Sequence, residues 1–257
     1  MPTLADRLRA EPFELILSSG FFGFFAHAGV VHALEEAALT PALVGGSSAG
    51  ALVAGLWGAG VPAAAIRDRL FALRRADFWD PDPLFGLAGA RGFGLLRGDR
   101  FEQLLGEALD GVGVHRFAEC RVPVRVVAFD VGARRTVTLG DGPLVPAIRA
   151  SCSVPVMFQP AVIDARRLLD GGIADRAGIS AASDGARVLY HHLPPNSPWR
   201  RFTPSQNRVP ARPRLHLLHE PSLPRLSPFH LDRGPRAFEL ARSMVLRALA
   251  APAGDAA

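Results

Sequence analysis

The chain has 257 residues, of which 49% are apolar and 21% charged. That length and balance fit one globular domain with a buried core and exclude a disordered or fibrous chain. The formal charge is +5 and is carried by arginine alone, with no lysine. The arginines are spread out and form no basic block, so the charge reads as composition; such a surface attracts phosphate, but no nucleic-acid-binding module accompanies it.

Residues 1–12 alternate charged and small side chains around no apolar centre, so no secretory leader is expected. Cys120 and Cys152 suggest no disulfide framework. Both points favour a cytoplasmic protein. Residues 13–17 read as a first strand and 18–23 as a glycine-containing turn. Residues 27–38 read as a helix, with Val30, Val31, Leu34 and Ala38 on one face and Glu35 and Glu36 outside. A strand at 42–44, a turn at 45–50 and a helix at 51–57 follow.

From Ala37 to Ile66 there is no Asp, Glu, Lys or Arg. The length alone admits a membrane-spanning helix. Gly45, Gly46, Ser47, Ser48 and Gly50 break it near the middle and Pro62 interrupts its end, so a buried strand, tight turn and buried helix explain it better. The strand–turn–helix repetition predicts an α/β layered domain.

Residues 62–74 read as a further helix. Residues 77–98 form a long loop rich in Pro, Gly and aromatics, of the kind that gates a site. Asp99 is placed to cap the next helix, with Glu102 completing a capping box. Strands are expected at 122–129 and 135–139, joined at Gly132-Ala133, and a short helix at 143–152. Val162-Ile163 and Leu168-Leu169 read as a hairpin around Asp164-Ala165. Late strands are expected at 188–190 and 215–218, with a Pro- and Arg-rich excursion over 190–214. Residues 235–250 read as a terminal helix burying Phe238, Ala241, Val245 and Leu249, flanked by Arg236, Arg242 and Arg247. There is no internal repeat.

Chemistry concentrates in four segments. Gly46-Ser47-Ser48-Ala49-Gly50 reads G-x-S-x-G between a strand and a helix, which makes Ser48 the candidate nucleophile. Residues 17–23 form a turn whose N–H groups can converge on an anion. Asp170-Gly171-Gly172 places a carboxylate at a strand end with open space around it, a candidate general base. Ala147 to Pro155, running on to Phe158-Gln159-Pro160, reads only as a helix ending before a proline. Phe21, Phe22, Phe24 and Phe25 either line an acyl pocket or pack between helix and sheet.

In this order the four segments resemble the patatin-like phospholipases: Gly20-Phe21-Phe22-Gly23 with His27 and Gly29, then Gly46 to Gly50, then Ala147 to Pro160, then Asp170-Gly171-Gly172. The resemblance implies a three-layer α/β fold, a central mostly parallel sheet flanked by helices. Residues 14–180 would be its catalytic core and 181–257 a C-terminal extension of the same domain. It implies a serine lipid acyl hydrolase with a Ser48–Asp170 dyad, an acyl-enzyme intermediate, and an oxyanion hole from the amides of Ser19, Gly20 and Phe21. No metal or cofactor is required, the partner is a lipid or other acyl ester, and the protein would sit in the cytoplasm with transient membrane-surface contact. The turn departs from the family pattern: Ser18-Ser19-Gly20 stands for a glycine triplet, and Phe22 for a basic residue.

Two other readings compete. A Ser–His–acid esterase would use a late histidine, for which His191, His192, His216, His219 and His230 are candidates. A catalytically weak lipid-binding protein would keep the fold alone. Nucleotide binding fits poorly, because Ala51-Leu52 stands where a phosphate loop needs Lys and Ser/Thr.

Overall fold

The first strand, β1 (Glu14–Leu17), is buried at every position and sits in the interior of an eight-stranded sheet. The computed structural model describes residues 1–82, 94–194 and 209–252. The elements run α1 (Leu4–Ala10), β1, α2 (Phe24–Glu36), β2 (Leu43–Ser47), α3 (Ala49–Gly58), α4 (Ala63–Ala72), α5 (Arg75–Phe78), β3 (Gly94–Leu96) and α6 (Asp99–Asp110). Then follow β4 (Val124–Asp130), β5 (Arg135–Leu139), α7 (Leu144–Ser151), β6 (Val156–Phe158), β7 (Ala161–Ile163), β8 (Arg166–Asp170), β9 (Val188–His192), β10 (Leu215–His219) and α8 (Gly234–Ala250).

The sheet order is β10-β9-β1-β2-β4-β8-β7, with β5 also paired to β4. The five strands from β10 to β4 are parallel, and β5, β8 and β7 join antiparallel. The mostly parallel sheet flanked by helices is the architecture expected from the sequence. A separate pair joins β3 to β6.

β4 carries three neighbours. Its pairs with β5 run from Val126 to Asp130, so β5 occupies one edge. On the opposite edge β2 pairs with Val124 to Val127, and β8 takes over at Ala128. The end of β2, Ser47, and the end of β8, Asp170, thus meet at adjacent positions on one strand edge.

The alternation of β1 divides the interior. Leu15 and Leu17 join the large core packed by α2, α3, α4, α7 and α8; Ile16 joins a smaller cluster with Ala181, Val188 and Tyr190. α8 lies on α2 and buries the predicted stripe, Phe238, Ala241, Val245 and Leu249. Gly29 makes that contact close: a Cβ there would overlap the Phe238 carbonyl. Arg242 seals the edge with bonds of 2.8 and 2.9 Å to Glu36.

Several boundaries differ from the sequence reading. α2 begins three residues earlier and ends before Ala38, which is exposed with φ 50° and so lies off the buried face. β2 runs through Gly45 and Gly46, because pairing with β1 and β4 holds both glycines extended. The cap of α6 is Gly98 (φ 91°), not Asp99, and no capping box forms: Glu102 reaches Arg149 at 3.5 Å instead. α1 was not expected; Thr3 and Asp6 close a capping box, and Leu4 and Leu8 pack inward. The hairpin turn matches, with Asp164 and Ala165 at φ 49° and 60°. Residues 83–93 of the expected gating loop and 195–208 of the expected excursion lie outside the described residues. No helix among the described residues is long and apolar enough to cross a membrane.

Two glycine substitutions test this packing. Gly29→Ala should lower stability by about 3 kcal/mol through overpacking of α2 on α8. Gly106→Ala, whose Cβ meets nothing within 4 Å, should raise it by about 0.5–1 kcal/mol through helix propensity. Denaturant titration of both variants reads the two signs.

Candidate active site

Ser48 stands between the end of β2 and the start of α3, with φ 54° and ψ −120°. That region is sparsely populated for a residue with a Cβ and costs about 1–3 kcal/mol, so neighbours must hold it. The flanking glycines explain the G-x-S-x-G spacing. A Cβ on Gly46 would lie 2.6 Å from the Leu17 carbonyl oxygen, and one on Gly50 would overlap the same carbonyl. The sharp turn presses against the end of β1, and only glycine fits two positions before and two positions after Ser48. The main chain of Ser48 is tied down. Its N–H donates to Ser151 Oγ at 2.8 Å, and its carbonyl accepts from Leu52 N–H at 3.0 Å and Cys152 Sγ at 3.2 Å.

Asp170 ends β8, pairs with Ala128, and donates its N–H to the Ser153 carbonyl at 2.9 Å. Its Oδ1 accepts from Gly172 N–H at 2.7 Å, while the buried Oδ2 has no hydrogen-bond partner of ordinary geometry. Burial pushes the carboxyl up to about 6; the Ser48 hydroxyl, the Gly172 amide and the Arg176 charge pull the other way. The Asp-Gly-Gly spacing has a steric cause. A Cβ on Gly171 would overlap the Val127 carbonyl, and one on Gly172 would lie 2.5 Å from Ser19 Oγ.

The glycine-containing turn faces the same place. The Ser19 N–H is already committed, donating to the Arg176 carbonyl at 2.8 Å. The N–H groups of Gly20 and Phe21 have no acceptor among the described residues. Behind the turn, His27 Nε2 lies 2.8 Å from the Ser18 carbonyl and His27 Nδ1 2.8 Å from His191 Nδ1. The carbonyl can only accept, so His27 carries its proton on Nε2 and accepts from His191 Nδ1–H. Burial lowers His27 to about 4 and holds His191 well below the ordinary histidine range, so both rings are neutral at physiological pH.

Ser48 and Asp170 both open into a cavity of about 460 Å³. Ser19, Gly20 and Phe21 share that end. Phe22, Phe24, Leu52, Phe78 and Leu105 line the walls, and Arg69 and Arg176 are its only cations among the described residues. Phe25 does not reach it and packs against Gly234. His191, His192, His216, His219 and His230 do not line it. No group of three or more His, Cys, Asp or Glu side chains able to hold a metal occurs among the described residues. Ser151 and Cys152 touch Ser48 directly, which the sequence did not reveal; their only signal was membership of the Ala147–Pro160 segment.

A family model described as patatin-like phospholipase matches residues 15–183, a span that contains the turn, Ser48, the Ser151–Ser153 segment and Asp170. The chain belongs to the patatin-like phospholipase family. Uncharacterized NTE family proteins of Mycobacterium bovis and Mycobacterium tuberculosis are 35% identical over 161 residues, 63% of this chain and 42% of each relative. The chain therefore spans less than half the length of those relatives. The crystal structure of VipD from Legionella pneumophila aligns over 93% of this chain and 67% of its own, with a TM-score of 0.61 and 14% identity. That likeness is one of fold.

The buried carboxyl of Asp170 yields a stability test. Its folded value of about 6 exceeds the unfolded value of 3.8. As pH rises from about 4 to about 6 the unfolded chain loses this proton first, so stability falls across that window and is level above it. Asp170→Asn should therefore be more stable than wild type above pH 6, by on the order of 1–3 kcal/mol, and equal to it near pH 4. Thermal melts across pH 4–8 measure the difference.

Proposed function

We propose that this chain is a serine acyl hydrolase of lipid esters, with Ser48 as nucleophile and Asp170 as its general base. The observation that carries the reading is the shared cavity. A strained serine at a helix start and a buried carboxyl with an unused oxygen open together onto one apolar chamber. An acyl chain would lie along the phenylalanines with its ester carbonyl at Ser48.

Asp170 takes the Ser48 hydroxyl proton as Oγ attacks the ester carbon. The oxyanion forms beside the Gly20 and Phe21 N–H groups, which are unspent and already in place. Ser19, whose N–H is engaged, would brace the turn rather than donate. The intermediate collapses as the C–O bond to the alcohol breaks, and Asp170 returns the proton to that leaving oxygen. Water then attacks the acyl-enzyme, Asp170 accepts a proton from it, and the acid leaves as Ser48 is reprotonated. Histidine is not needed, since the carboxyl near pH 6 is poised to work as a base at neutral pH.

Intact-protein mass after treatment with a lipid-like fluorophosphonate tests the assignment. Wild type should gain one adduct, Ser48→Ala none, and Asp170→Asn should react roughly 10²–10⁴-fold more slowly. With a soluble ester, kcat/KM should rise about tenfold per pH unit below about pH 6 and level off above it. A wild-type protein that gains no adduct would point to the lipid-binding reading.

A further inference from the structure

The Ala147–Pro160 segment carries no chemical role that its sequence reveals, and its contacts supply one. The Ser151 hydroxyl is fully buried and bridges two main-chain groups: it accepts the Ser48 N–H at 2.8 Å and donates to the Val127 carbonyl at 2.5 Å. The next residue, Cys152, holds the Ser48 carbonyl. The residue after that, Ser153, presents its carbonyl to the Asp170 N–H. Three consecutive residues at the end of α7 thus grip the main chain of both members of the proposed dyad.

The grip is itself anchored. Arg149, only 4% exposed, donates to Ser153 Oγ at 2.5 Å and to the Gln159 carbonyl at 2.7 Å, and reaches the Arg97 carbonyl. Ser48 needs such a grip, because a left-handed φ relaxes unless both its N–H and its carbonyl are held. Val127 gives the grip its position, since it is the last residue of β4 paired to β2.

We infer that Ser151 is a positioning residue that holds the Ser48 turn in reach of Asp170, so that the end of α7 sets the spacing between nucleophile and base. The inference rests on the proposed function for its catalytic readout, but not for its structural one. Ser151 touches neither substrate nor the reacting oxygen.

Three measurements on the whole chain test it. The first is amide hydrogen exchange in wild type. The Ser48 N–H should be strongly protected, whereas the Phe21 N–H, which lacks an acceptor, should exchange fast. Equal, fast exchange at both amides would overturn the inference whether or not the protein hydrolyses esters. The second is Ser151→Ala. It should lower kcat by roughly 10- to 100-fold with KM within about twofold, since small misplacements of reacting groups cost this much. The third is the acid limb of the rate profile. Loosening Ser48 weakens the pull of its hydroxyl that favours the Asp170 carboxylate, so the limb should move above 6 in Ser151→Ala. Ser151→Thr, which keeps the hydroxyl, should restore the limb and the Ser48 protection. A folded Ser151→Ala protein with wild-type kcat, acid limb and Ser48 exchange would overturn the inference. Absence of any Ser48-dependent turnover in wild type would instead count against the proposed function, with the exchange comparison still deciding the role of Ser151.

Discussion

The strand edge on which β2 gives way to β8 is the constraint from which the site follows. Val127 and Ala128 are neighbours on β4, and their partners are Ser47 and Asp170. Because pairing fixes main-chain positions to within a hydrogen-bond length, residues more than 120 positions apart are forced to meet. A slip of one residue in the pairing of β8 with β4 would turn Asp170 to the other face of the sheet. The Val127 carbonyl concentrates the constraint: it accepts Ser151 Oγ, and Gly171 packs so closely on it that no side chain fits there.

Two features of the site cost stability, and the surrounding core tolerates both. Ser48 is held in a strained backbone conformation, and Asp170 is buried where its charged form is disfavoured. Around them, β1 is sealed on both faces, and α2 is clamped under α8 through Gly29 and the Arg242–Glu36 pair. A nearly immovable frame lets a poorly favoured local geometry persist. The neutral His27–His191 pair belongs to the same logic, since it supports the glycine turn from behind without bringing a charge into the interior.

The cavity suits a reaction, as proposed, that needs few polar groups. Most of its wall is phenylalanine, leucine and other apolar side chains, with the polar Ser48, Asp170 and Ser19 coming from the ends of β2 and β8 and from the turn. In the proposed reaction such a chamber would keep water from the ester and leave in place one hydroxyl, one carboxyl and two amides without acceptors among the described residues. Phe22 lies in that wall, in edge-on contact with Phe21 and tilted contact with Phe24 and Phe78, at the position where the family turn often carries a basic residue.

Much of this was legible in local sequence. G-x-S-x-G and Asp-Gly-Gly mark sites where a close main-chain approach requires glycine, and that requirement is local enough to leave a pattern. The strands of the eight-stranded sheet, the terminal helix stripe and the Asp164-Ala165 hairpin were readable because burial and turn geometry act over a few residues, whereas the short β3–β6 pair was not. What tertiary structure alone decided are the contacts between distant segments. Those are the commitment of the Ser19 amide to Arg176, the diversion of Glu102 from a cap to Arg149, the neutral histidine pair, and the bridge from Ser151 to Ser48. A serine that bonds to a main-chain amide 103 positions away has no local signature. The sequence alone determined which residues are the candidates for the chemistry; only the folded sheet decided how they are held together, because strand pairing, not chain proximity, sets their spacing.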